Sequence, residues 1–154
     1  MSGNSKCVKV SINSRKMVRD LIKLGCTSRK SKTIKMPKIP DDLLNHFIRG
    51  YFDGDGWVLI DKNNKPSFGI VSGSKEMLES LNNVITKNSI INKNKVYDYT
   101  TYYNFCYKSY TDIIKISTFL YKQSNIYLIR KKGKFDEILN LYENHKNKNS
   151  KRWN

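Results

Sequence analysis

The sequence has few acidic side chains, few cysteines and no long hydrophobic run. Its 154 residues carry 13 Asp and Glu against 29 Lys and Arg, which gives a formal net charge of +16. The three cysteines show no CxxC spacing, which argues against a disulfide framework or a zinc knuckle. No stretch approaches the roughly 18 apolar residues of a membrane span, and no signal-peptide pattern opens the chain. We therefore expect an intracellular protein of the cytoplasm or an organelle matrix, neither secreted nor bound to a membrane.

The excess of positive charge favours a nucleic-acid partner. A strongly basic, soluble chain is what binding to a phosphate backbone requires, although a ribosome- or membrane-surface protein or a solvated basic surface would share this composition. The charge is uneven, since residues 1–40 contain eleven basic side chains and one acid. Only two histidines occur, which argues against nucleases that depend on histidine.

Hydrophobic periodicity predicts the elements of the first part of the chain. Residues 8–13 alternate between apolar and polar side chains, as in a half-buried strand. A helix follows, with Ser14 as its N-cap and Gly25 at its end. Residues 26–40 form a basic connector whose prolines oppose a regular helix. A second helix is predicted from residue 41 or 42 to about residue 53.

After this helix the period changes from 3.6 to 2, and residues 57–72 are typical of a hairpin that turns at Asn63 and Asn64. The elements together predict an α+β domain built around an antiparallel sheet. The remaining elements are, in order, a helix capped by Ser74, two tyrosine-rich strands within 94–110, helices near 111–121 and 133–144, and a basic flexible tail over 146–154.

The stretch FIRGYFDGDGW, residues 47–57, places glycines inside a predicted helix. With 100° per residue, one stripe of this helix holds Leu43, Phe47, Gly50 and Gly54. A helical glycine costs about 1 kcal/mol relative to alanine, so two on one face imply that another backbone approaches closely. The partner is most simply a second helix; a crossing loop is the alternative.

Two carboxylates at the end of the same helix are equally unexpected. Asp53 and Asp55 face the negative end of the helix dipole, at a cost of about 0.3 to 1 kcal/mol each. A bound divalent cation reverses the sign, because Mg²⁺ prefers one or two carboxylates together with water and phosphate oxygens. The alternative is a DG-type turn; an EF-hand is excluded, because Trp57 and Val58 occupy positions where that loop needs a ligand and a glycine.

The segment IRGYFDGDG, Ile48 to Gly56, resembles the LAGLIDADG motif of homing endonucleases. Flanking segments, LIKLGCTSRKSKTIKMPKIPDDLLNHFIRG and STFLYKQSNIYLIRKK, are also similar to that family. The resemblance implies a saddle-shaped antiparallel sheet over duplex DNA, with two motif helices packed together at its centre. It also implies that Asp55 is the metal-binding acid, that Gly54 offers its carbonyl to the metal, and that Asp53 supports the helix end.

The resemblance further implies a basic and a polar residue near the scissile phosphate. These roles match Lys131, or its neighbour Arg130, and Ser72, with Lys122 as a lesser candidate. On the polar face of the sheet, side chains are expected to contact DNA phosphates or base edges. The candidates for these contacts, each of which could equally be a solvated side chain, are Asp61, Asn63, Lys65, Lys95 and Lys108. The tyrosines of the predicted strands are expected mainly in the core and in strand pairing: Tyr97, Tyr99, Tyr102, Tyr103, Tyr107 and Tyr110.

The chain carries one motif, whereas the resemblance implies that two motif helices must meet to cut both strands. Either two copies form a homodimer, or the chain is the second half of a longer enzyme. Residues 8–31 echo residues 103–131, which favours the second history. We therefore predict the tail of a preceding repeat over 1–36 and an endonuclease domain over 37–145. The predicted function is Mg²⁺- or Mn²⁺-dependent, sequence-specific cleavage of double-stranded DNA; an RNA-binding intron maturase and a cleavage-inactive DNA-binding module are the alternatives.

Overall fold

The computed structural model describes residues 10–150, with side-chain burial described through residue 147. Short 3₁₀ turns occur at Lys30–Lys32 and Asp41–Leu43. None of the helices within residues 10–150 has the length and apolar character that a membrane span requires. The helices and strands, in chain order, are α1 (Arg15–Lys23), α2 (Leu44–Asp55), β1 (Gly56–Ile60), β2 (Pro66–Ser72), α3 (Lys75–Ser89), β3 (Tyr97–Asp98), β4 (Tyr103–Tyr107), α4 (Tyr110–Tyr121) and α5 (Ile129–Ser150).

The four strands form one antiparallel sheet in the order β1-β2-β4-β3. Phe68 of β2 pairs with Val58 of β1 and with Tyr107 of β4. All three side chains are buried, and helices α2, α3, α4 and α5 all contact the sheet. The expected α+β architecture around an antiparallel sheet is therefore confirmed.

Three phenylalanines at the centre of the core fix helix α2 to the sheet. The ring centroid of Phe52, on α2, lies 5.1 Å from that of Phe68 and 5.7 Å from that of Phe135, on α5. Such aromatic pairs contribute about 0.5 to 1.5 kcal/mol beyond the area they bury. The end of α2 is therefore held against both the sheet and α5.

A buried arginine sets the rotation of α2. Arg49 is 6% exposed, and its guanidinium donates to the carbonyls of Leu120 at 2.8 Å and Ile126 at 3.0 Å. Its third nitrogen lies 2.8 Å from Nδ1 of His46. Because these bonds satisfy the end of α4 and the following loop, α2 cannot rotate without leaving buried polar groups unpaired.

Helix α1 is confirmed, but the predicted strand before it is wrong where it can be compared. The Ser14 hydroxyl accepts a hydrogen bond from the Met17 amide at 3.2 Å, and Gly25 leaves the helix with φ of +87°. Residues 10–13 form no strand, and residues 8 and 9 lie outside the described residues. Alternating apolar and polar residues match the pattern of a strand. A strand also needs a neighbouring strand to pair with its backbone N–H and C=O groups, and the alternation does not provide one. No residue of α1 is buried.

The connector after α1 packs on the domain. Ile34 and Met36 contact the core, and the ammonium of Lys35 lies 3.0 Å from the Glu76 carboxylate. A Cβ on Gly73 would lie only 2.5 Å from the Ser31 carbonyl oxygen, so the connector crosses this glycine closely. The boundary at residue 36 remains a prediction, but the residues just before it contribute to the packing of the domain.

The last helix is longer than expected. It begins at Ile129 and continues through Ser150, past residue 145, where the sequence predicted the start of a flexible tail. It is stabilised by ion pairs between residues about one turn apart, Lys132 with Asp136 and Lys134 with Glu137. No proline follows to end it, so the helix continues into the basic segment. Residues 151–154 of the predicted tail lie outside the described residues.

Candidate active site

The motif helix α2 has one buried face and one open face. Its buried residues are Asn45, Ile48, Arg49 and Phe52. The predicted interface stripe lies away from them: Leu43 is 47% exposed, Gly50 and Gly54 are exposed, and Phe47 is partly buried against the core.

The glycines of the motif differ in what their own chain demands of them. A Cβ on Gly56 would lie 2.2 Å from the Phe52 ring, so the packing of this chain requires glycine there. A Cβ on Gly50 or Gly54 would meet nothing within 4 Å. A glycine inside a helix is costly, and the packing within residues 10–147 gives no reason for glycine at these two positions. Their predicted role at an interface therefore concerns a partner outside this part of the chain.

Asp55, the last residue of α2, is exposed and lines a cleft of about 320 Å³. Ser72, at the end of β2, lines the same cleft, so the structure brings two of the predicted site residues together. Tyr51, Lys30 and Tyr102 complete much of the wall. The cleft thus combines a carboxylate, several hydroxyls and an ammonium group, which is a suitable set for holding a phosphate and ordering water.

Tyr51 holds Ser72 in position within this cleft. The tyrosine hydroxyl donates to the Ser72 hydroxyl at 2.9 Å, and the Ser72 oxygen also accepts from the Ser74 amide at 3.1 Å. Burial raises the pKa of Tyr51, the hydrogen bond with Ser72 opposes this rise, and the negative charge of Asp55 adds to it. Tyr51 therefore stays protonated and acts as a hydrogen-bond donor at neutral pH.

Sequence reasoning did not single out Tyr51 or Lys30. Tyr51 lies four residues before Asp55 on one helix, and this spacing places both on the same face. Tyr51 could therefore have been named from its spacing to Asp55 in the sequence. Lys30 is one of many basic side chains in the connector, and only the packing of the connector places it at the cleft.

Asp53 faces a different part of the molecule, because residues two apart on a helix point about 200° apart. One of its carboxylate oxygens accepts from the Leu128 amide at 3.1 Å, just before α5 begins. An acid at this position stabilises the positive end of the α5 dipole. The other oxygen is buried, with no hydrogen-bond partner among the described residues. This placement is compatible with the supporting role that was predicted for Asp53.

Lys131 lies beneath the end of α2 and does not line the Asp55 cleft. Its side chain is 4% exposed. The ammonium donates to the carbonyls of Phe52, Asp53 and Gly56 at 2.5, 3.1 and 2.6 Å, and it lies 4.4 Å from the centre of the Phe52 ring. All three of its donors are therefore engaged by backbone carbonyls at the junction of α2 and β1, where the Phe52 carbonyl also accepts from the Gly56 amide.

The electrostatic surroundings of Lys131 are mixed. Burial lowers its pKa, the neighbouring charge of Arg130 lowers it further, and Asp53 and Asp55 oppose both effects. Arg130 itself is exposed. Of the two basic candidates named from the sequence, Arg130 is thus the one with a free path to solvent, whereas Lys131 is engaged with backbone.

The residues around Asp55 suit a cation with few protein ligands. Within the described residues, no three His, Cys, Asp or Glu side chains converge to hold a metal. Mg²⁺ commonly uses one or two carboxylates and completes its coordination with water and phosphate. An exposed Asp55 next to the exposed Gly54 fits that requirement, whereas a closed structural metal site would not.

One face of the sheet is open. The side chains that alternate with the core positions are partly or fully exposed, and they include Trp57, Leu59, Val71, Asn104 and Cys106. Leu59 is 56% exposed. An open, polar-rimmed sheet face is where the sequence analysis expected DNA contacts.

The residues predicted to contact DNA differ in whether their side chains already have partners within the protein. Asp61 organises the β1–β2 turn, because its carboxylate accepts from the amides of Asn63 and Lys65, both at 2.8 Å. The side chains of Asn63 and Lys65 are themselves exposed. Lys95 lies 5.9 Å from the centre of the Tyr97 ring, and Lys108 is exposed just after β4. Their contacts with DNA remain predictions.

The tyrosines of the two last strands divide into two groups. Tyr107 is fully buried and donates to the side-chain oxygen of Asn82 at 2.7 Å, as expected for a core residue. Tyr97, Tyr99 and Tyr102 are instead 48%, 49% and 40% exposed. Tyr97 pairs with Asn104 of β4, as expected for strand pairing, but none of the three serves the core, because β3 has only two residues and forms the edge of the sheet.

Comparison with known proteins identifies the region around this site. A family model described as a LAGLIDADG-like domain matches residues 42–137. An archaeal intron-encoded homing endonuclease, I-Vdi141I complexed with DNA, is similar in structure, with a TM-score of 0.46 and 16% identity over 68% of this chain and 72% of that chain.

Curated relatives match over a small part of their own length. The probable translation initiation factor IF-2 of Methanocaldococcus jannaschii is 34% identical over 88 residues, which is 54% of this chain and 7% of that protein. The replication factor C small subunit of the same organism is 34% identical over 97 residues, 56% of this chain and 5% of that protein. The probable IF-2 of Thermococcus kodakarensis is 35% identical over 77 residues, 47% of this chain and 6% of that protein.

Proposed function

The chain belongs to the LAGLIDADG-like domain family, and from that premise we propose that it is a metal-dependent endonuclease that hydrolyses phosphodiester bonds in a specific double-stranded DNA site. The observation that carries the proposal is the position of Asp55, exposed at the end of the motif helix in a cleft that also holds Ser72, Tyr51 and Lys30. The net charge of +16 supports a phosphate-backbone substrate.

Each residue of the cleft has a separate proposed role. The Asp55 carboxylate and the Gly54 carbonyl would hold Mg²⁺ or Mn²⁺, and such an ion would supply charge neutralisation and a more acidic water. Ser72, oriented by Tyr51, is placed to hydrogen-bond a water or a phosphate oxygen in the cleft. The ammonium group of Lys30 stabilises negative charge on the phosphate.

Cleavage of both DNA strands needs a second site of the same kind. The open face around Gly50 and Gly54 supports a second motif helix at close range, because the packing of this chain gives no other reason for these glycines. The second helix comes from another copy of the chain or from a preceding repeat of the same protein. Either arrangement places two Asp55-type carboxylates near the DNA.

The relatives support a mobile origin for the domain. The matched segments occupy 5 to 7% of proteins named for translation initiation and for replication, two roles with little in common. A domain that recurs in such different hosts behaves as an inserted element, such as an intein or an intron product, and a homing endonuclease is the activity that spreads such an element.

Duplex cleavage tests the proposed function directly. A random-sequence duplex library is incubated with the chain and Mg²⁺, and cut ends are recovered and sequenced. We expect cuts at one recurring sequence, and we expect Asp55→Asn to abolish them while metal-free binding is retained, because the amide keeps the shape of the carboxylate without its charge. Binding without any cleavage would favour a DNA-binding module, and retention of intron RNA alone would favour a maturase.

A further inference from the structure

Two exposed tyrosines pack against each other at the tip of the β3–β4 hairpin. The rings of Tyr99 and Tyr102 are stacked, with centroids 5.0 Å apart and planes inclined by 10°. The two residues, which we call the tyrosine stack, are 49% and 40% exposed. Exposed aromatic rings can serve as platforms on which nucleic-acid bases stack.

The backbone of the hairpin tip holds the tyrosine stack firmly. The Tyr99 amide donates to the Tyr102 carbonyl at 2.9 Å, and the Asp98 carboxylate accepts from the Thr100 amide at 2.8 Å. Thr100 has φ of +68°, a conformation that is unfavourable for a β-branched residue. Such strain persists where the surrounding contacts fix it, and it is concentrated at functional sites. The tip is thus a preformed surface.

The tyrosine stack adjoins the candidate active site. Tyr102 lines the cleft that holds Asp55, with Lys30 on the wall of the same cleft. Just before the hairpin tip, the ammonium of Lys95 lies 5.9 Å from the centre of the Tyr97 ring. Positive charge therefore flanks the aromatic surface, and this charge is complementary to a nucleic-acid backbone.

We propose that the tyrosine stack packs against DNA bases beside the cleft and partly unstacks the base step next to the scissile phosphate. Apolar side chains that press between base steps kink the duplex, and the cost is lowest at flexible pyrimidine–purine steps. The tyrosine stack is then a positioning and specificity element, because it favours targets that deform easily at this step. This inference rests on the proposed DNA function, since it deepens the assignment of the same cleft.

The experiment measures base unstacking without cleavage. Duplexes that bind are first selected from a random library in EDTA, and 2-aminopurine, whose fluorescence rises when it leaves the base stack, is then placed at each position of the selected site. The wild-type chain is compared with Tyr99→Ser, which removes both the ring and its apolar bulk, and with Tyr99→Phe, which keeps the ring. Tyr97→Ser is the matched control, because Tyr97 is equally exposed but lies outside the tyrosine stack.

We expect a several-fold rise in fluorescence at one step with the wild type, Tyr99→Phe and Tyr97→Ser, and no rise with Tyr99→Ser. Removal of one base-stacking contact should also weaken binding about tenfold. Tight binding with no rise at any position, or an unchanged rise with Tyr99→Ser, overturns the inference and leaves the endonuclease proposal intact. A chain that selects no duplex at all overturns both, and the tyrosine stack would then belong to a protein interface.

Discussion

Three charged side chains near the end of helix α2 have separate tasks. Asp55 is exposed in the cleft, Asp53 holds the start of α5, and Lys131 satisfies three backbone carbonyls from below. A local motif of two aspartates therefore combines one candidate catalytic group with one that fixes the geometry around it. Substitutions at these three positions should therefore differ in their effects on stability and on cleavage.

Lys131→Met is expected to destabilise the fold strongly. The substitution keeps an unbranched chain of similar length but removes the ammonium that donates to the carbonyls of Phe52, Asp53 and Gly56, of which only that of Phe52 is known to keep a second donor, the Gly56 amide. A buried acceptor that loses its donor costs about 1 to 3 kcal/mol. Urea denaturation followed by circular dichroism should show a lower midpoint with an unchanged slope.

Lys134→Met on the same helix is the control, because Lys134 forms only an exposed ion pair with Glu137 at 2.7 Å and should change stability by less than about 0.5 kcal/mol. If Lys131→Met instead kept normal stability and lost only cleavage, Lys131 would act at the phosphate, as the family resemblance suggested. Its structural role as a donor to the backbone carbonyls at the end of α2 would then be wrong.

The candidate site was predictable from sequence where its residues belong to the motif or to its flanking strand. Asp55 could be named from its place at the helix end and from the resemblance, and Ser72 from the resemblance alone. Lys30 could not, because it reaches the cleft only through packing of the connector against Gly73. The burial of Lys131 was equally hidden, since a basic run such as RKKGK does not reveal which side chain turns inward.

Among the elements, helix α2 presents a face that its own chain leaves uncovered. Gly50→Leu should therefore raise the stability of the isolated monomer, because leucine has a helix propensity nearly 1 kcal/mol better than glycine and a Cβ meets nothing within 4 Å. The same change should abolish close packing against a second motif helix. We expect a higher melting temperature together with loss of self-association in sedimentation and loss of double-strand cleavage.

Gly133→Leu in α5 is a matched control, since a Cβ there also meets nothing within 4 Å. It should stabilise the chain without changing association or cleavage. A Gly50→Leu variant that cuts both strands as well as the wild type does would show that the glycine face is not an interface.

The connector and α1 should contribute unequally to stability. Deletion of residues 1–28 removes α1, which has no buried residue, and should leave the urea midpoint nearly unchanged. Deletion of residues 1–36 also removes Ile34 and Met36, which contact the core, and should lower the free energy of unfolding by about 2 to 4 kcal/mol. Equal midpoints for the two truncations would show that the connector does not belong to the domain.

Most elements were predicted because their signals are local. Ser14, Ser74 and Ser109 each cap a helix through a hydrogen bond to an amide three residues on, and caps mark helix starts reliably. The errors occurred where tertiary context decides. Residues 10–13 lack a partner strand, and the two-residue strand β3 leaves Tyr97 at the edge of the sheet.

For the whole molecule, charge sets how binding should depend on salt. A chain of net charge +16 that neutralises several phosphates releases a counterion at each one, so the logarithm of the binding constant should fall by about 0.9 per phosphate for each tenfold rise in salt. Titration of a fluorescent duplex between low and physiological salt measures this slope. A slope shallower than about −2 would mean that too few phosphates are contacted for a duplex to lie across the sheet.

The contact between Trp57 and Gly69 matters to anyone who would redesign the open face of the sheet. A Cβ on Gly69 would lie 2.2 Å from the indole and 2.6 Å from the Phe105 carbonyl oxygen, so the two paired positions form a single unit. Gly69→Thr should be severely destabilising in the wild-type background and less so with Trp57→Thr, and the Phe105 carbonyl makes this rescue partial. A double-mutant cycle in urea should yield a coupling of about 1 kcal/mol or more. Libraries that vary the two positions independently would therefore consist mostly of unfolded chains, and retargeting of this surface has to begin from joint choices at 57 and 69.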